Sequence, residues 1–113
     1  MNLEKVDSIE MLKELSKRGG HPGALADAAL LCVLKSQDYN QGMGHENIHT
    51  TDRTQYFPFG NISYAQMLYT KAMRFNSLVK QNGKPNFEGL KDTALDMINY
   101  AGFFIAASRV EKE

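Results

Sequence analysis

The chain has 113 residues, enough for one domain with a modest core, and its thirteen Lys/Arg balance its thirteen Asp/Glu. That balance, without any Lys/Arg cluster or basic arm, excludes the electrostatic footprint of a duplex nucleic-acid binder, yet a small anionic ligand needs only a local cationic pocket. Residues Met1 to Lys5 lack the apolar core of a signal peptide, and no apolar run approaches the roughly 18 residues of a membrane span, so the expectation is a cytoplasmic protein with no membrane partner.

The first predicted helix covers residues 7 to 18. Asp7, three residues before Glu10, gives a capping-box-like start, Gly19-Gly20 gives a stop, and Ile9, Met11, Leu12 and Leu15 supply the apolar stripe. Pro22 suits a first helical position, and Ala24 to Tyr39 continues through strong helix formers with wide apolar coverage, which marks a second helix central to the core. Cys32 sits in its run Ala28-Ala29-Leu30-Leu31-Cys32-Val33-Leu34; as the lone cysteine it reads as a small buried hydrophobe in a reducing compartment.

Asn40 to Gly60 follows as a loop of roughly twenty residues, long enough to suggest a functional purpose. It contains the letters of a zinc-protease motif, His45-Glu46-Asn47-Ile48-His49. That motif works only on a helix, where the two His share a face, and Gly42, Gly44, Thr50 and Thr51 around it argue for a loop. A third ligand is not selected either: His21 lies upstream, and nothing in the spacing picks Asp52 or Asp96. The reading is a polar loop, with the metal question open.

Asn61 and Ser63 are candidate caps for a third helix bearing Tyr64, Met67, Leu68, Lys71, Phe75 and Leu78 and stopping at Gly83 and Pro85. A fourth helix begins near Asn86 and continues through the apolar segment Met97 to Ala107, which is core or core plus a subunit interface. The fold class is therefore all-α: a compact bundle of about four helices in a single domain, residues 1–113, with helices three and four an antiparallel hairpin and a homo-oligomer expected.

Counting outward from Lys84 in that hairpin, Arg74 and Asp92 fall at one level, and Lys71 and Asp96 at nearly the same one. Glu88, Asp92 and Asp96 follow one another at i, i+4 and i+8, with Asn99 and Tyr100 continuing that side, so two cations oppose a line of carboxylates. Such an array is either a salt-bridged seam or a pocket in which Lys71 and Arg74 grip phosphate while the carboxylates hold a divalent ion or a ribose hydroxyl. Lys35 and Asp38 add a second cation and carboxylate ahead of the loop, and Tyr56, Phe57 and Phe59 around Pro58 form either a hydrophobic latch or a platform for a base.

The segments Lys35 to Asn40, Phe57 to Gly60, Lys71 to Leu78 and Phe87 to Ala101 together resemble the nucleotide modification associated domain family of small phage and prophage proteins, over roughly residues 28 to 106. Glu88, Asp92, Thr93, Asp96, Asn99 and Tyr100 carry its most specific part. The resemblance implies an all-α nucleotide-handling protein acting in the bacterial cytoplasm. More loosely, the chain is similar to MazG-like nucleotide pyrophosphohydrolases, but it has no E-x-x-E in helix two, and Thr93 stands where E-x-x-D would need an acid before Asp96.

The expected function is accordingly non-catalytic binding of a nucleotide by Lys35, Asp38, Arg53, Tyr56, Phe59, Lys71, Arg74, Asp92, Asp96, Asn99 and Arg109, without a cofactor, sequestering a cyclic nucleotide of bacterial anti-phage immunity. The alternatives are a Mg²⁺-dependent pyrophosphohydrolase using Asp38, Glu88, Asp92 and Asp96, and a structural partner whose polar seam only joins helices.

Overall fold

The computed structural model describes residues 7–40, 57–80 and 87–111. Among these residues the fold is all-α, with four helices: α1 (Ser8–Arg18), α2 (Gly20–Asn40), α3 (Asn61–Lys80) and α4 (Phe87–Glu111). α1 packs on α2 and α3 on α4, and the chain divides into two units, Met1–Thr50 and Thr51–Glu113, each described by itself.

In the first pair, Asp7 caps α1 by accepting the Ile9 backbone N–H at 2.8 Å, so the cap is made two residues on, not at Glu10. Gly19 then serves both helices. Its N–H donates to the carbonyls of Leu15 and Ser16, each at 3.2 Å, while its own carbonyl accepts from Gly23 at 3.1 Å to start α2. A single residue thus separates the helices, and Gly19 (φ 80°) and Gly20 (φ 68°) hold the left-handed backbone that the reversal requires. α2 starts earlier than Pro22, which occupies its first turn, where a missing N–H costs no helical bond.

The two helices approach closely at Gly23, where a Cβ would lie 3.0 Å from the Leu15 carbonyl oxygen. One turn further along α2, the Ser16 hydroxyl of α1 donates to the Asp27 carboxylate. Ala26, Ala28 and Val33 are the buried apolar side chains of α2. Two expectations change here: Leu15 of the α1 stripe is exposed, as are Leu25 and Leu34 of α2, and Cys32 is half-buried, not enclosed. The reversal brings the small side of α2's first turns against α1, leaving the bulky leucines outside.

The second pair opens on a turn. The Gly60 N–H returns to the Phe57 carbonyl at 3.3 Å, with Pro58 setting the first corner and Gly60 at φ 63°. α3 begins immediately after. Its entry is held by Ser63, whose buried hydroxyl reaches back to accept the Phe59 N–H at 2.9 Å; Ser63 is the third helical residue, and Asn61 the first. The cap position itself belongs to Gly60, whose carbonyl accepts from Ser63 and Tyr64.

Phe57, buried by this turn, stacks on Tyr64 with centroids 4.3 Å apart and meets Tyr100 and Phe103 edge-on or tilted at 6.0 and 5.8 Å. Tyr64 meets Phe104 at 5.7 Å. This aromatic cluster is the core of the α3–α4 pair at one end. Towards the other end, Leu78 and Thr93 are buried, the Thr93 hydroxyl satisfied by the Gly89 carbonyl of its own helix at 2.8 Å.

Candidate functional site

Between those two ends the seam holds one polar rung. Tyr64, Met67, Lys71 and Leu78 recur at helical spacing on the covered side of α3, and Thr93, Asp96, Tyr100 and Phe103 do the same on α4. Lys71 and Asp96 therefore stand where apolar side chains would be expected. They meet, Lys71 Nζ to Asp96 Oδ2, at 3.1 Å, with side chains only 22% and 15% exposed. A cation or a carboxylate alone at such a depth would be strongly disfavoured, and each is tolerated because the other is there.

The antiparallel level found by counting from Lys84 thus matches a real contact: seven residues before Lys71 and eight after Asp96, Tyr64 meets Phe104. The expected line of carboxylates facing two cations does not form in full. A step of four residues turns a helix by about 40° beyond a full revolution, so Asp92 rotates off the seam that Asp96 occupies, and Thr93 takes the buried place. Arg74, three residues from Lys71, rotates off in the same way. Both Arg74 and Asp92 are exposed, and neither has an ion pair among the described residues.

The remaining candidates separate. Asn99 and Tyr100 are half-buried one turn along α4 from Asp96, and Tyr100 is committed to the aromatic cluster. Phe59 is 74% exposed at the turn before α3, and Arg109 is exposed in the last turn of α4. At 1.5 Å per helical residue, each lies about 20 Å along its helix from the Lys71–Asp96 rung, too far to share one phosphate with it inside one chain. Of the aromatic segment around Pro58, Phe57 is the latch and Phe59 the exposed ring.

Lys35 is exposed on α2, in the first pair. Asp38 and Glu88 lie on α2 and α4, but their side chains, like Arg53, Tyr56, His45, His49 and Asp52, lie outside the described residues. Among the described residues no three His, Cys, Asp or Glu side chains come together as a metal-binding group, and no helix is long and apolar enough to cross a membrane. Sequence reasoning missed Ser16 and Asp27 as the polar link of the first pair; Asp27, an acid within the apolar stretch Ala24 to Leu34, was the available signal.

No protein-family model, curated protein or solved structure matches this chain.

Proposed function

We propose that the α3–α4 pair binds a phosphate-bearing nucleotide without turning it over, and that the protein acts by sequestration, a cyclic nucleotide signal of bacterial anti-phage immunity being the ligand class that suits it. One observation carries the reading. Lys71 is fixed by Asp96 at 3.1 Å, and Arg74, on the next turn of the same helix, is exposed with no ion pair among the described residues. An exposed guanidinium favours an anion, and it presents planar donors suited to phosphate oxygens. Asp92, exposed at the level of Arg74, supplies an acceptor for a ribose hydroxyl. The resemblance to nucleotide-handling phage proteins agrees in theme.

Incubating the protein with linear and cyclic nucleotides, with and without Mg²⁺, then denaturing it and identifying the released compounds by mass spectrometry tests the proposal. A nucleotide depleted from solution and recovered intact is the expected result. Products that form only with Mg²⁺ would instead establish the pyrophosphohydrolase reading, which the placement of Asp92 and Asp96 on successive turns of α4 supports. Arg74→Ala should weaken the captured nucleotide's affinity by about tenfold or more, as loss of a charge-assisted hydrogen bond does, while leaving the melting temperature in place.

A further inference from the structure

α3 has a second face, opposite the one that meets α4. Ile62, Ala65, Tyr69, Ala72, Asn76 and Val79 follow one another at steps of three or four residues, and all six are exposed, Ile62 at 72%, Tyr69 at 67% and Val79 at 54%. None of the six is charged. Lys71 and Arg74 point to the other side of the helix, and Lys80 lies in its last turn. An uncharged face of this size gives no electrostatic reason to select a charged partner, and it meets a copy of itself without like-charge repulsion.

The order of these side chains supplies the stronger argument. About the midpoint between Thr70 and Lys71, Ile62 is matched by Val79, Ala65 by Asn76 and Tyr69 by Ala72. Two copies of α3 laid antiparallel across a two-fold axis at that midpoint therefore bring each large side chain against a compatible one: Tyr69 lies over the small Ala72 of the second copy, Ile62 over its Val79. Lys80 then faces the uncharged Asn61. This is the self-complementarity that an isologous contact requires.

We propose that α3 is the self-association surface of this protein, pairing antiparallel with α3 of a second copy in that register. The inference is independent of any nucleotide site. The exposed apolar side chains offer roughly 500 Å² per copy, so the contact buries about 1,000 Å², the lower end for specific interfaces, and the dimer is reversible and concentration-dependent.

Sedimentation equilibrium of the full chain over a wide concentration range tests it. The weight-average mass should rise towards twice the 12.7 kDa of one chain. Ile62→Glu and Val79→Lys, both at exposed positions, should each raise the dissociation constant by about tenfold or more, and Tyr69→Arg should do the same at the centre. Combining Ile62→Glu with Val79→Lys should restore association. These positions lie about 25 Å apart on one helix, so the new charges can pair only between antiparallel copies. A wild-type chain that stays monomeric throughout, single variants that keep the wild-type mass, or a helical double variant that stays monomeric would each overturn the proposal.

Discussion

Lys71 and Asp96 meet at 3.1 Å inside the α3–α4 seam, each largely withdrawn from water. Counting from Lys84 gave the level at which they meet, because both helices of an antiparallel hairpin rise at the same rate. It does not give the direction in which neighbours point, so Arg74 and Asp92, at the same level, are exposed beside a pair that is not. The partly buried pair has an energetic signature that separates it from a surface salt bridge. Asp96→Ala leaves the Lys71 ammonium in the seam without its carboxylate and should cost about 1–3 kcal/mol, between exposed and fully buried pairs. Replacing both together, Lys71→Met with Asp96→Leu, should recover most of that loss, since the seam on either side is apolar. Urea unfolding of Lys71→Met, of Asp96→Leu and of the double variant measures the coupling, and simple additivity of the singles would mean that the contact contributes nothing.

At the scale of helices, three boundaries were legible because local chemistry fixes them: Asp7 before α1, Gly19 after it, and the proline and glycine punctuation before α3. The details that local patterns could not supply are those that depend on a second helix. Gly23 lies in the first turn of α2, and its lack of a side chain lets α2 approach the Leu15 carbonyl. Gly23→Ala should therefore destabilise the protein by about 1–3 kcal/mol, although alanine is the better helix former, because the added Cβ would press on backbone atoms that cannot easily move aside. A melting temperature that rose instead would show that α1 and α2 can separate there at little cost. Gly19→Ala acts by a different route, through backbone strain at φ 80°, and should cost about 1 kcal/mol. Phe57 shows the same division. An aromatic cluster was visible in its sequence segment, but only the turn closed by Gly60 decides that Phe57 enters the core and Phe59 faces solvent.

On the whole-molecule scale, the two proposals assign opposite faces of α3 to different tasks. Lys71 and Tyr69 are two residues apart, which turns the helix by about 200°, so a ligand held by Lys71 and Arg74 and a second copy seated on Tyr69 do not compete for the same surface. The helical period predicts Tyr64, Met67, Lys71 and Leu78 on the covered stripe of α3, but Phe75 of the same expected stripe is exposed, and the outer stripe is seen only from the exposure of its side chains. If each site is complete within one chain, Ile62→Glu should weaken association by about tenfold or more, leaving a monomer at concentrations where the wild type pairs, with the dissociation constant for the captured nucleotide within about twofold of wild type, since an exposed substitution far from a site rarely couples to it. Calorimetric titration of that monomeric variant gives the answer. A large loss of affinity would mean that the second copy completes the binding site. Retained affinity would instead tie capture to the single helical pair, and association would then set only how many ligands one particle carries.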